Sequence, residues 1–318
     1  MDEFSLIERY FNRPVSSDLV QLGIGDDGAV LSPPAGRLLV QTIDSLHSGY
    51  HFPTDTPPAD IAWKSLAVNV SDLVAMGAEP AFFLMSLTLP DADEDFLEAF
   101  SRGLFDAARR FDIQLVGGDT CRGPLSITIQ ASGLAAPQEV IRRDGAAEGD
   151  HIFVSGQLGL AALGLALVEQ RVTVDGPLRE SALEALNRPL PRLDLLPLLR
   201  SFASAAIDIS DGLVGDLGHL LRRSGVGARL DRDALPVPGW IRDQEAFELA
   251  LAGGDDYQIV FTVAPGRVAE LHAAIDEQAL DCHEIGRITA DGFGMYSSSD
   301  SSVEVDLAQT SGFLHFGR

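Results

Sequence analysis

Residues 23–30 read GIGDDGAV and place two adjacent carboxylates, Asp26 and Asp27, in a glycine-flanked turn before an apolar run. Two like charges about 4 Å apart repel each other by on the order of 4 kcal/mol at an effective dielectric near 20. A hard divalent cation reverses the sign of that energy, because Mg²⁺ takes oxygen ligands and keeps waters and substrate phosphates in its shell. An ordinary Asp-Gly hairpin turn explains the same stretch. The interpretation as a metal site therefore depends on whether the same pattern recurs along the chain.

The same combination of glycine-rich turn, aspartate and strand or helix boundary recurs along the chain. It is found at Asp44, Asp119, Asp208 with Asp211, and Asp255 with Asp256. Each has a structural explanation when taken singly; Ser210 or Asp211, for example, could cap the following helix. Together these carboxylates are too many for one pocket without several cations. The pattern therefore predicts a multi-metal site that handles polyphosphate, since Mg²⁺ bridges and neutralises phosphate oxygens.

A helix is predicted over residues 59–77, with one broad apolar face. Ser65, Asn69 and Asp72 form a narrow polar stripe on it at spacings of four and three, bordered by apolar residues. A solvated helix face is normally broad and charged. The stripe therefore indicates the wall of a site, with Asp72 as its only charge.

Strands and helices alternate through the first half of the chain, which predicts an α/β fold with mixed sheets. A strand over residues 113–116 is expected to run into a turn at Gly117-Gly118-Asp119-Thr120. At 318 residues the chain exceeds the size at which one core keeps growing. We therefore expect two α/β domains, over residues 1–145 and 146–318.

The charge balance, 23 basic against 47 acidic residues, gives a net charge of −24 and argues against nucleic acid or an anionic membrane as partner. Lys64 is the only lysine. The P-loop motif and the protein-kinase signature both need a lysine in a specific context, so both are excluded. Nucleotide phosphates must then be held by cations, backbone N–H groups and arginine, with Arg143 the first candidate and Arg142 the second.

Two cysteines, Cys121 and Cys282, cannot build a disulfide framework. The first residues lack the basic-then-apolar order of a signal peptide. The longest apolar run, residues 158–168, is shorter than the roughly 20 residues that span a bilayer. These features predict a soluble cytoplasmic protein.

Five motifs in order along the chain carry a resemblance to a known family. They are GIGDDGAV at 23–30, AVNVSDL with MGA at 67–78, GGDT at 117–120, DISDGL at 208–213 and GGDDYQIVFT at 253–262. In combination they resemble the thiamine-monophosphate kinases, within the wider ATP-binding superfamily that includes aminoimidazole ribonucleotide synthetase. The resemblance covers nearly the whole chain.

The resemblance implies ATP-dependent phosphorylation of thiamine monophosphate to thiamine diphosphate by direct in-line transfer, in a homodimer whose N-terminal domains pair their sheets. It implies several Mg²⁺ ions and ATP as co-substrate. The implied metal ligands are Asp27, Thr42, Asp44, Asp72, Asp119, Asp208 and Asp211, of which Asp72, Asp119 and Asp208 act in catalysis. The implied ATP contacts are Gly118, Asp119, Arg143 and Ser210. The implied thiamine contacts are His51, Asp255, Asp256 and Phe313.

Two positions depart from the family pattern. Ile43 stands where relatives often have a hydroxyl residue and can offer a metal only its carbonyl, and Asp255 is one methylene shorter than the usual glutamate. Two alternatives stay open: another ATP-dependent enzyme of the superfamily, such as aminoimidazole ribonucleotide synthetase, and a non-enzymatic acidic cation-binding protein.

Overall fold

The computed structural model describes residues 2–14, 17–243, 246–300 and 304–307. The chain divides into two compact units. The first comprises Met1–Val74, Ala78–Glu139 and Asn187–Pro189, and the second comprises Ala75–Gly77, Val140–Leu186 and Leu190–Arg318. Mixed α/β structure is confirmed in both units, while the boundary after residue 145 stays a prediction.

The first unit contains a four-stranded sheet of order β3-β6-β4-β5, parallel only between β4 and β5, and a small ribbon of β1 and β2. Its elements are α1 (Glu3–Leu6) with a following π-turn (Ile7–Phe11), β1 (Val20–Leu22), β2 (Val30–Leu31), β3 (Leu38–His47), α2 (Pro58–Ala75), β4 (Glu79–Leu89), α3 (Glu94–Arg110), β5 (Gln114–Arg122) and β6 (Ser126–Ala135).

The sheet has a buried inner face and an outer face that is exposed over part of its area. Phe83, Leu87 and Ile129 are fully buried on the inner face. On the outer face, Ile43 of β3 is 62% exposed and Leu84 of β4 is 39% exposed. Both pair with Gln130 of β6, so they share one row of the sheet.

Local sequence explains where α3 begins and ends. Asp93 accepts hydrogen bonds from the backbone N–H groups of Asp95 and Phe96 at 2.9 and 3.2 Å, which caps the first turn. Arg109 and Arg110 in the last turn complement the helix dipole. Gly103 allows close packing against α2, because a Cβ there would lie 2.2 Å from the carbonyl oxygen of Ala59.

The predicted turn at Gly117-Gly118-Asp119-Thr120 is wrong. These residues continue β5, which stays paired with β4 as far as Arg122 and carries a bulge at Val116. Gly118 makes this possible, because a Cβ at that position would lie 1.9 Å from the carbonyl oxygen of Met85. Only glycine permits so close an approach of two backbones at this φ of +154°.

The second unit contains a sheet of order β13-β12-β9-β11-β7-β10-β8, parallel only between β12 and β9 among the described strands. Its elements are β7 (His151–Ser155), α4 (Leu160–Val168), α5 (Pro177–Asn187), α6 (Leu196–Phe202), β8 (Ala205–Asp208), α7 (Leu213–Ser224), β9 (Gly227–Asp231), α8 (Gly239–Asp243), α9 (Glu248–Ala252), β10 (Ile259–Val263), α10 (Val268–Gln278), β11 (Cys282–Thr289), β12 (Phe293–Tyr296) and β13 (Glu304–Asp306). Its core joins sheet residues such as Ile207 and Val260 to Leu217 of α7. No helix among the described residues of either unit has the length and apolarity needed to cross a bilayer.

Candidate functional site

Thr42, Asp44 and Asp72 form the polar centre of the first unit. Thr42 and Asp44 are two residues apart on β3, so their side chains share one face of the sheet. Thr42 Oγ1 donates a hydrogen bond to Asp72 Oδ2 of α2 at 2.5 Å. The side chain of Ile43 points to the opposite face, which explains its exposure.

Asp44 lies in an environment that disfavours its charge. Burial, together with the like charge of Asp72, raises the pKa of Asp44 to about 6. A divalent cation would remove this repulsion, and the carboxylate and hydroxyl oxygens present are the donors that Mg²⁺ prefers. These three residues therefore fit a magnesium ion.

The rest of the polar stripe on α2 has a local role. Ser65 Oγ donates to the carbonyl oxygen of Ile61 at 2.8 Å, and Asn69 Nδ2 donates to that of Ser65 at 3.0 Å. Both side chains are buried. Asp72 is the stripe residue that bonds to Thr42 and acts on the charge of Asp44.

Asp119 lies on the other face of the sheet from Asp44. The strand register connects Asp44 of β3 to Ile129 of β6, Ile129 to Met85 of β4, and Met85 to Gly118 of β5. Residues that pair directly lie on the same face of a sheet, so these four share the inner face. Asp119 follows Gly118 along β5 and is exposed on the outer face. Within this unit, the strand register therefore assigns Asp119 and the Thr42–Asp44–Asp72 cluster to opposite faces of the sheet.

Asp27 and His51 lie in connecting segments of the first unit. Asp27 is exposed in the turn between β1 and β2, and its N–H donates to Asp26 Oδ1 at 2.8 Å. The ribbon that carries this turn packs against Phe82, Val116 and Leu134. His51 is half-buried after β3, and its Nδ1 accepts from the N–H of His47 at 3.0 Å.

In the second unit, the segment after β8 folds around a carboxylate that the sequence patterns did not single out. Asp216 Oδ2 accepts from the N–H groups of Ser210 and Asp211, both at 2.9 Å. Burial raises the pKa of Asp216 to about 7; the charge of Asp211 adds to this, while Arg143 opposes it. The sequence signal that could have identified Asp216 is that it is the single acidic residue among the apolar residues of an amphipathic helix.

Arg143, rather than Arg142, faces this carboxylate cluster. Arg142 is engaged with Asp144, to which its Nε donates at 2.9 Å. Arg143 is exposed and close enough to Asp216 to lower its pKa. Its backbone oxygen accepts from Ser224 Oγ at 2.8 Å, which ties the loop to the end of α7. Asp208 is buried at the end of β8, paired with Ile259.

The glycine-rich GGDDY turn is joined to the DISDG segment by its backbone. The N–H of Asp255 donates to the carbonyl oxygen of Ser210, and that of Tyr257 to Ile209, both at 2.8 Å. Gly254 has φ of +69°, and a Cβ there would lie 2.6 Å from the Ser210 oxygen. Asp255 and Tyr257 also have positive φ, at 62° and 47°. Strain of this kind concentrates at functional sites.

The two adjacent aspartates of this turn have different surroundings. Asp256 is buried and accepts from the N–H of Gly159, at the start of α4, through both oxygens at 2.9 Å. Burial, with the nearby charge of Asp255, raises the pKa of Asp256 to about 8. Asp255 is only half-buried, and its Oδ1 accepts from the hydroxyl of Tyr257 at 3.1 Å. The structure therefore leaves Asp255 as the accessible member of the pair.

Among the described residues, no three Asp, Glu, His or Cys side chains are grouped closely enough to enclose a metal ion by themselves. The prediction that the carboxylates of both units line one cleft stays a prediction. Phe313, the expected thiamine contact near the end of the chain, lies outside the described residues.

Most of the chain matches two known protein domains. Residues 25–135 match the family described as AIR synthase related protein, N-terminal domain, and residues 147–296 match the corresponding C-terminal domain. The thiamine-monophosphate kinase of Salmonella typhimurium is 46% identical over 299 residues, covering 92% of each chain.

Two solved structures are similar along most of their length. The thiamine-monophosphate kinase from Stenotrophomonas maltophilia K279a has a TM-score of 0.84 at 46% identity, covering 94% of this chain and 97% of that one. The structure described as AaThiL complexed with AMPPCP and TMP has a TM-score of 0.76 at 32% identity, covering 94% and 93%.

Proposed function

This chain belongs to the thiamine-monophosphate kinase family of AIR synthase related proteins, and we propose on that basis that it transfers the γ-phosphoryl group of ATP to thiamine monophosphate. The products are thiamine diphosphate and ADP. The similar structure that holds AMPPCP and TMP supports both substrates, since AMPPCP is an ATP analogue. The enzyme is a phosphotransferase whose acceptor is itself a phosphate group.

The observation that carries the proposal is the grouping of Thr42, Asp44 and Asp72, in which the charges of the two aspartates repel each other in the absence of a cation. We propose that Asp27, Thr42, Asp44, Asp72, Asp119, Asp208 and Asp211 hold Mg²⁺ ions. When bound, Mg²⁺ neutralises phosphate charge and orients the reacting groups.

The residues are proposed to have different roles in the reaction. Gly118 and Ser210 offer backbone or hydroxyl groups to the ATP phosphates, and Arg143 offers an exposed guanidinium. The acceptor is an anion already, so it needs neutralisation and alignment more than a strong base. Asp72, Asp119 and Asp208 are proposed to act at this step. His51, Asp255 and Phe313 are proposed to contact the thiamine substrate, and the buried Asp256 to support the turn that carries Asp255.

A homodimer is proposed through the outer face of the four-stranded sheet. Ile43 and Leu84 form an exposed apolar row on either side of Gln130, and Leu39 of the same face is 44% exposed. A second copy of the sheet would bury this row, and closed symmetric pairs are the commonest oligomers. A cytoplasmic location is also proposed, which the two free cysteines, Cys121 and Cys282, support.

One assay tests the activity. The protein is incubated with ATP, Mg²⁺ and thiamine monophosphate, and thiamine diphosphate and ADP are quantified. Equal amounts of both products are expected. Absence of thiamine diphosphate, together with turnover of formylglycinamidine ribonucleotide, would contradict the proposal and assign the chain to the aminoimidazole ribonucleotide synthetase reaction instead.

A further inference from the structure

A basic pocket lies between the N-terminal helical segment and α3, within the first unit. Its volume is about 410 Å³, which is within the range of small-molecule sites. Four arginines line it: Arg9, Arg13, Arg102 and Arg109. The one carboxylate in its lining is Glu98. The pocket is therefore positive in a chain whose net charge is −24.

Two of these arginines, Arg13 and Arg102, are exposed and keep N–H groups that a ligand can reach, although Nη1 of Arg13 already donates to the carbonyl oxygens of Arg9 and Asn12 at 3.4 and 3.3 Å. Arg9 pairs with Glu94 at 3.0 Å, and Arg109 pairs with Asp106. Among the described residues, neither Arg13 nor Arg102 is paired with a carboxylate. Arginine recognises phosphate oxygens through paired N–H groups, so two available guanidinium groups suit two neighbouring phosphates.

Aromatic side chains hold the pocket in shape. The guanidinium of Arg13 lies over the ring of Phe105 at 5.3 Å, and that of Arg9 over the ring of Tyr10 at 5.0 Å. Such cation–π contacts restrict the orientation of the guanidinium planes. Tyr10 is only 4% exposed, and its hydroxyl has no hydrogen-bond partner within the described structure. A buried hydroxyl without a partner is stabilised when a bound group accepts a hydrogen bond from it.

The pocket is remote from the Thr42–Asp44–Asp72 cluster. Arg102 precedes Gly103, the residue at which α3 touches Ala59 near the start of α2. Asp72 lies thirteen residues further along α2, about 20 Å at 1.5 Å per residue. One small ligand cannot occupy both places.

We propose that this pocket is a second anion site, which binds the diphosphate group of a small molecule through Arg13 and Arg102, with the Tyr10 hydroxyl as a further donor. The inference stands apart from the proposed kinase activity, because it concerns binding in the absence of Mg²⁺ and of turnover. Pyrophosphate, ADP and thiamine diphosphate share the required group and are the probes.

The test is calorimetric titration of the full chain with each probe in metal-stripped buffer, where the acidic cluster repels anions. The variants are Arg13→Ala, Arg102→Ala and Tyr10→Phe. Arg110→Ala is the matched control, because Arg110 is exposed on the same helix but does not line the pocket. Arg143→Ala shows whether a probe binds at the proposed ATP site rather than in this pocket. Circular dichroism and thermal midpoints establish that each variant is folded.

We expect at least one probe to bind the wild-type chain, with affinity lowered tenfold or more by Arg13→Ala and by Arg102→Ala and severalfold by Tyr10→Phe. Arg110→Ala should leave the affinity unchanged. The probe that binds most tightly identifies the source of the diphosphate. Absence of binding by all three probes, an equal loss in Arg110→Ala, or a loss confined to Arg143→Ala would overturn the proposal.

Discussion

Thr42 donates a hydrogen bond from Oγ1 to Oδ2 of Asp72 over 2.5 Å, and this bond joins the middle of β3 to the last turns of α2. It fixes the orientation of the Asp72 carboxylate beside Asp44. A carboxylate has several lone pairs, and carboxylate oxygens are ligands that Mg²⁺ prefers. The hydroxyl of Thr42 therefore has a positioning role besides any direct contact with a metal.

Two substitutions of Thr42 distinguish the role of its hydroxyl from that of its methyl group. Thr42→Val keeps the shape but removes the donor, and we expect turnover to fall at least tenfold, with a higher Mg²⁺ concentration needed for half-maximal rate. Thr42→Ser keeps the donor and should stay within threefold of wild type. Steady-state kinetics over a Mg²⁺ series measures both. A loss in Thr42→Ser as large as that in Thr42→Val would contradict this role, because Thr42→Ser retains the hydroxyl.

The proposed catalytic carboxylates can be tested by removing charge without changing shape. Asp72→Asn and Asp119→Asn are each expected to reduce turnover by about 10²-fold or more, the scale on which a charge-stabilising group acts. Asp112→Asn is the control, because Asp112 is exposed and its φ of 52° suits asparagine. Near-wild-type rates for either variant at saturating Mg²⁺ would refute its ligand role.

Some of this site could be predicted from local sequence because it depends on short-range patterns. The apolar periodicity of residues 59–77 predicted α2 to within two residues of its bounds, Pro58–Ala75. Within the glycine–aspartate motifs, Gly118 and Gly254 are required where two backbones approach closely. In each case the information lies within one turn or one strand.

Other features depend on register and packing between distant segments. Counting by twos from the buried Leu115 would assign Asp119 to the inner face of the sheet, but the bulge at Val116 moves it to the outer face. Likewise, nothing in the adjacent pair Asp255-Asp256 reveals which carboxylate meets Gly159, about a hundred residues earlier. Such distinctions come only from the three-dimensional structure.

The backbone of the GGDDY turn offers a third prediction. Gly254→Ala would place a Cβ 2.6 Å from the carbonyl oxygen of Ser210 at a φ of +69°. We expect a loss of roughly 2 kcal/mol or more in the free energy of unfolding and a higher KM for thiamine monophosphate, since Asp255 follows directly. Gly266→Ala is the control, because its Cβ would meet open space. Urea unfolding and kinetics measure the two effects, and equal behaviour of the two variants would contradict the expectation.

The last prediction concerns Asp256 and the pH dependence of stability. Its pKa is raised by burial from an ordinary value near 4 to about 8 in the folded chain, so the folded state holds a proton that the unfolded state releases between these values. The free energy of unfolding should therefore fall as pH rises across that window, by up to about 1.4 kcal/mol per pH unit from this group.

Asp256→Asn isolates this contribution, because asparagine does not titrate while the other raised carboxyls, Asp44 and Asp216, remain in both chains. The stability of wild type minus that of the variant, measured by urea unfolding from pH 5 to pH 8, should decrease steadily. The opposite outcome has a clear physical meaning. A difference that stays flat over this range and falls only below pH 4 would show that the N–H of Gly159, at the start of α4, keeps Asp256 ionised despite its burial.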